Sequence, residues 1–300
     1  MLISTTTASW RDRPNKVYIP IIQSIPKFAA AGFDAVDLNF CHATHLNIYK
    51  EGIEINRDNW QDWVNEVRKA LEASRITANQ SHAPFYNVLD TSIEDIEFKE
   101  ELVRRSIIAS GRLGVKWVII HAGTIPDSPS AKESLKANME YFKPHLELAA
   151  KNNTGIAIEN LFDYSSDEFS RGARRYAGGL DELLELVDCL AKDFPNVGVC
   201  WDFGHANEMA VKQEKALRLV GKRLKALHVN DNNGVMDDHT LPFAGLINWE
   251  ALMKVLKEIG YEGDFTYEIH RFTQRLPDEL IDEALRFSVS VAKYLVSLAR

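Results

Sequence analysis

Four short apolar runs each stop on a side chain able to bind metal: Glu159 in GIAIEN, Asp202 in GVCWDFGH, His228 in KALHVND and Glu268 in FTYEIH. Three carboxylates and one imidazole can hold one divalent cation, and an oxygen-rich set with a single imidazole favours manganese or magnesium. Further histidines fall at similar places. His82 follows TANQS, His121 ends KWVII, His205 lies three residues past Asp202, and His239 sits close to Asp237 in VMDDHT. Recruiting these as additional ligands would shift the preference to zinc. A histidine ending an apolar strand is equally a satisfied core group with both nitrogens hydrogen-bonded. His42, His45 and His145 lack such a setting and read as surface or core residues, and His270, two positions past Glu268, is left undecided.

Such groups do chemistry together only if something brings them together. The chain alternates strand-like runs with segments of helical period. Strands are expected near 2–6, 34–40, 76–81, 116–121, 155–159, 197–202, 225–230 and 264–269. Helices are expected over 59–74, 100–114, 133–151, 179–192, 248–260 and 282–299. Eight strands alternating with helices imply a parallel sheet. A single (β/α)8 barrel over residues 1–300 would set the four strand-end groups round one mouth, where such barrels keep their chemistry. An open doubly wound sheet has the same alternation. Gly114, Gly155 and Gly260 stand where left-handed helix caps are expected. The segment 161–179, LFDYSSDEFSRGARRYAGG, is too long for a plain connection. Its Arg171, Arg174 and Arg175 would either reach an anionic substrate or form a solvated basic loop.

Composition narrows the partners. With a formal charge of −8 and a pI near 5.6, the chain is not expected to gather nucleic acid or anionic membrane, which attract basic surfaces. Neither a signal-peptide core nor an apolar stretch of spanning length is apparent, which makes a cytoplasmic address the expectation. Cys41, Cys189 and Cys200 form no CxxC pair and read as buried free thiols.

At this level of detail the chain resembles the xylose-isomerase-like barrels, which include sugar and sugar-phosphate isomerases, sugar 3-epimerases, inosose dehydratases and endonucleases of apurinic sites. The resemblance rests on IEN after strand five, WDFGHAN after strand six, HVND with the following DDHTLPFAGLINW after strand seven, and YEIH in strand eight. The epimerase pattern implies Glu159, Asp202, His228 and Glu268 as ligands of one divalent metal (Mn2+, Mg2+ or Zn2+), with His205 near the substrate. His82, His121 and Asn160 are expected beside the same substrate. DDHTLPFAG is similar to the DxHLPPGEG stretch of these enzymes but departs from it at Phe243, Ala244 and Leu246, and Gly234 stands where an arginine often follows the strand-seven histidine. The endonuclease branch uses a larger ligand set, and His82, His121, Glu159, Asp202, His205, His228, Asp237, His239 and Glu268 offer candidates for all of it.

The function this implies is a metal-dependent isomerase or epimerase of a small carbohydrate, in a chain that could assemble as a homo-oligomer. Glu159 and Glu268 would be the catalytic pair, one abstracting and the other returning a proton through an enediolate. Hydrolysis at apurinic sites is the alternative.

Overall fold

The computed structural model describes residues 1–10, 19–41, 54–126, 131–163 and 174–299. His42, His45 and Arg171 lie outside them. Eight strands run in chain order: β1 (Ile3–Thr6), β2 (Ala35–Asn39), β3 (Thr77–His82), β4 (Trp117–His121), β5 (Gly155–Glu159), β6 (Val197–Asp202), β7 (Leu224–His228) and β8 (Phe265–Tyr267). Each pairs in parallel with the next, and β1 pairs with β8. The ring closes between β7 and β8 through a single bridge. There the Val229 N–H donates to Thr266 O at 2.8 Å and the Glu268 N–H donates to Val229 O at 3.1 Å. The result is a (β/α)8 barrel, not an open sheet.

The helices are α1 (Ile21–Ala31), α2 (Trp60–Ser74), α3 (Ile96–Arg112), α4 (Ala131–Lys151), α5 (Leu180–Leu190), α6 (Phe203–Glu208), α7 (Gln213–Val220), α8 (Trp249–Glu258) and α9 (Ile281–Leu298). Their buried faces repeat at helical spacing, as in Trp60, Trp63, Val64, Val67 and Leu71 of α2, and pack on the outer side chains of the strands. Among the described residues no helix is long and apolar enough to cross a membrane. The sequence pattern singled out no helix at α1, α6 or α7. Pro26 inside α1 reads from sequence as a helix breaker, and the other two have only 6 and 8 residues.

Strand alternation decides what enters the barrel. Ile119, Ala157, Cys200 and Ala226 form a small apolar cluster separate from the main core. Two residues further along the same strands come His121, Glu159, Asp202 and His228, which therefore share the inner face. Because Ala157, Cys200 and Ala226 are small, the layer above them has room for polar groups. The other half of the interior is a hydrogen-bonded plug. Ser4 Oγ donates to Asn79 Oδ1 at 2.7 Å, Asn79 Nδ2 to Thr266 Oγ1 at 3.0 Å, and Gln80 Nε2 to Leu227 O at 3.3 Å. Asn79 and Gln80 are consecutive yet both face inward, because the β2–β3 register skips a residue there.

Two expectations change in detail. Gly114 and Gly260 do adopt positive φ, at 77° and 65°, but Gly155 opens β5, and the left-handed residue before it is Asn153 at φ 57°. Gly155 is required for space, since a Cβ would meet the Trp117 ring and lie 2.7 Å from Asn196 O. All three cysteines are free, with Cys41 and Cys200 buried and Cys189 only half-buried.

Candidate metal centre at the mouth of the barrel

Glu159, Asp202 and His228 are the last residues of β5, β6 and β7, and Glu268 follows β8 directly. One ligand atom from each lies within 4.8 Å of those of the other three, and all four residues are buried. His228 Nδ1 stands 2.8 Å from Glu159 Oε1, 3.3 Å from Glu268 Oε2 and 4.0 Å from Asp202 Oδ2.

Two of the four side chains are held from behind. Asp202 Oδ1 accepts the His205 N–H at 2.7 Å and so caps α6, while its Oδ2 accepts Asn230 Nδ2 at 2.7 Å. Asp37 Oδ2 lies 3.4 Å from His228 Nε2 in the fully buried interior, a carboxylate placed to orient the imidazole from its far side. Asn160 engages its amide within the protein. It clasps the Asp202 backbone, donating to O at 2.9 Å and accepting from N at 2.7 Å.

The expected histidines converge here. Nδ1–H of His82 donates to Ala83 O at 2.7 Å, that of His205 to Asn160 O at 2.8 Å, and that of His239 to Glu268 O at 2.8 Å. Fixing Nδ1 on a carbonyl aims Nε2 the other way. Those Nε2 atoms lie 3.4 Å from Glu159 Oε2 for His82, 4.0 Å from Asp237 Oδ1 for His205, and 2.7 Å from Asp237 Oδ2 for His239. His205, Asp237 and His239 thus make a second cluster whose ligand atoms fall within 4.8 Å, and His82 with Glu159 and His228 makes a third. His270 packs its ring 4.1 Å from that of His239 and joins the site. His145 is a core residue, donating Nδ1–H to Tyr141 O at 2.8 Å within α4.

The charges are crowded. Burial pushes Asp202 up to about 6, with Glu159 and Glu268 adding to the shift and His205 opposing it. Burial works against the Glu159 carboxylate too, but His228 and His121 overcome it and hold the group well below its ordinary range. His121 Nε2–H, at 2.6 Å, donates to Glu159 Oε2. Burial drives the His121 imidazole down to about 3, against the pull of Glu159. Asp237 Oδ1 is buried without a hydrogen-bond partner. Three carboxylates around one imidazole, with an orphaned buried oxygen nearby, suit a divalent cation, which relieves anion crowding and favours the ionised ligands.

Above these groups is a cavity of about 320 Å³ lined by Glu159, Glu268, His82, His121, His205 and His239, among others, a size that suits a small molecule. A second cavity, of about 290 Å³, opens at the opposite end of the barrel beside Lys116, Lys222 and Lys225 and has no histidine in its lining. Asp37, Asn230 and Phe85, whose ring lies 4.4 Å from that of His121 in the cavity lining, were not singled out as site residues from the sequence. Asp37 had one signal, a charged residue at an inward position of the apolar run DAVDLNF.

The profile of the family described as Xylose isomerase-like TIM barrel matches residues 25–291. The chain belongs to that family. An uncharacterized protein of Methanocaldococcus jannaschii is 29% identical to it over 260 residues, covering 84% of this chain and 80% of that one. Inosose isomerase of Bacillus subtilis is 24% identical over 195 residues, covering 62% of this chain and 66% of the relative. In three dimensions the chain is similar to a crystal structure of the IOLI protein with a bound zinc atom. The TM-score is 0.76 at 16% identity, and 100% of this chain and 99% of that one are covered. That likeness shows the shared fold.

Proposed function

We propose that the protein is a divalent-metal-dependent isomerase or epimerase of a small carbohydrate or cyclic polyol ketone. The observation that carries this reading is the buried Glu159, Asp202, His228 and Glu268 cluster at the floor of a cavity of small-molecule size. Similarity to an inosose isomerase supports the substrate class. These four residues would hold the cation, which when bound would supply the charge stabilisation that an enediolate requires. Glu159, kept ionised by His228 and His121, is available to take a proton from carbon. Glu268 lines the same cavity and would serve as the partner that returns it. His205 Nε2, aimed inward by the carbonyl of Asn160, is suited to a substrate hydroxyl.

The test is solvent-deuterium exchange at the carbon beside the carbonyl, followed by NMR with the metal-loaded protein and a panel of ketoses and inososes. Exchange that a chelator abolishes is expected, and its absence across the panel would count against the reading.

A second reading has one specific observation in its favour. The His205, Asp237 and His239 cluster, added to His82 and His121, gives the cavity the donors for more than one cation, as metal-dependent phosphodiester hydrolysis would use. Elemental analysis separates the two, since one ion per chain favours the isomerase and three favour the hydrolase. Chelator-sensitive incision of an oligonucleotide with one abasic site would reverse the ranking.

A further inference from the structure

Among the described residues the sheet slips register at two places, and both feed the cavity at the end of the barrel opposite the metal centre. In β3 the slip turns Asn79 and Gln80 inward together, and both line that cavity. Between β6 and β7, Val199 pairs with Leu224 and Cys200 with Ala226, which leaves Lys225 as the extra residue. Ala226 belongs to the interior cluster, so strict alternation would turn Lys225 out among the helices. Instead its stem lies across Gly198, which shares the inner face with Cys200. A Cβ on Gly198 would collide with Lys225 Cγ. The Lys225 ammonium ends 5.9 Å from the centroid of the Trp117 ring, which itself needs the space left by Gly155. Bulges re-aim side chains, and these two bring an amide pair and a lysine to one wall.

That end of such a barrel ordinarily serves stability, a task an apolar side chain at 225 would do better than an ammonium group. Lys116 and Lys222, both exposed, line the same cavity. Among the described residues none of the three lysines is held in an ion pair. Lys222 Nζ reaches the Gly260 carbonyl at 3.5 Å. The carboxylates of the lining are Glu262, exposed at the rim, and Asp264, whose Oδ1 accepts the Leu2 N–H at 2.8 Å. We propose that this cavity is a second binding site, for a small oxyanion carrying phosphate or carboxylate groups. Three ammonium groups round about 290 Å³ supply the charge and the strong donors such a ligand needs, in a chain whose formal charge is −8. The site does not depend on the reaction proposed at the mouth.

Binding is measured by isothermal titration of the metal-loaded and the metal-free protein with inorganic phosphate and, separately, succinate. One anion per chain is expected in both forms, since none of the proposed metal ligands lines the cavity. Lys225→Met keeps the stem over Gly198 and removes the charge. It should weaken binding by roughly tenfold to a hundredfold, the range for losing a charge-assisted contact, while Lys225→Arg should retain most of the affinity. The double variant Lys116→Gln/Lys222→Gln changes only exposed side chains and should weaken binding by less. It takes the place of Lys225→Met if circular dichroism shows that variant to be unfolded. Tighter binding of phosphate assigns a phosphorylated ligand, and tighter binding of succinate a carboxylate one. Anion binding that requires the metal would put the anion at the mouth and overturn the proposal. So would wild-type affinity in the folded charge-removing variant, or no binding by wild type at millimolar concentration.

Discussion

His239 has an acceptor on each ring nitrogen, the Glu268 carbonyl at Nδ1 and the Asp237 carboxylate at Nε2. Both nitrogens donate, so the ring is an imidazolium. Burial opposes this, but Asp237 and Glu268 raise the group from 6.5 to about 10. A folded-state pKa above the unfolded one contributes stability that is complete below pH 6.5 and is lost as pH rises through about 10. The metal-free protein should therefore show a thermal midpoint that declines between about pH 7 and pH 10, and His239→Gln should flatten that decline. His228 carries the same sign, raised by Cys200, Glu159 and Glu268 against burial. Metal loading must consequently expel protons. Calorimetry in buffers of different ionisation enthalpy should detect about one or more released per ion at pH 7, and a buffer-independent enthalpy would refute the ligand role of His228. The sharpest residue-level prediction concerns Glu159 and Glu268. Glutamine at either position keeps an oxygen donor but cannot take a proton, so turnover should fall on the order of a hundredfold or more while some metal stays bound. Wild-type exchange at the substrate carbon in either variant would leave the two-glutamate mechanism without support.

At the scale of elements, the turns after β6 and β7 carry the positioning. Asp231 is completely buried and accepts from the backbone N–H groups of Asn232, Phe243 and Ile247 and from Trp249 Nε1 at 2.8–3.2 Å. It thereby gathers the loop that presents Asp237 and His239. Gly204, in the first turn of α6, faces Asn230 and Asn232. A Cβ there would collide with Asn230 Oδ1 and lie 3.0 Å from Asn232 Nδ2. Asn230 holds Asp202 Oδ2 at 2.7 Å, so Gly204→Ala should weaken metal binding by about tenfold or more through a ligand it never touches. Unchanged affinity in a competition titration would show that Asn230 is not needed. The strands and the converging polar residues at their ends were legible because a strand in this fold announces itself as a short apolar run closed by a polar residue. Gly204, Asn230 and Asp231 sit inside quoted motifs, yet their roles depend on cross-strand packing that no local period records. Asp202 illustrates the limit. The apolar run that ends on it does not announce that its carboxylate also caps α6, so Asp202→Asn is a cleaner probe of metal binding than Asp202→Ala.

The barrel as a whole is unevenly joined. β4 to β7 share registers of four or five residue pairs, whereas β7 and β8 meet at one bridge and two hydrogen bonds. Local openings in proteins follow the least supported contacts, so hydrogen exchange in the metal-free protein should be faster at the Val229 and Glu268 amides that close the ring than at the amides paired between β4 and β5. The candidate centre spans this seam, with His228 on one side and Glu268 on the other, and bound metal should slow exchange there well beyond its effect at β4–β5. Equal slowing at both places would show only a global gain in stability. If the seam behaves so, the cation is a clasp as well as a reagent. Its supply would set how long each molecule survives before proteases reach an opened ring, and a cell short of metal would lose the protein itself along with the reaction.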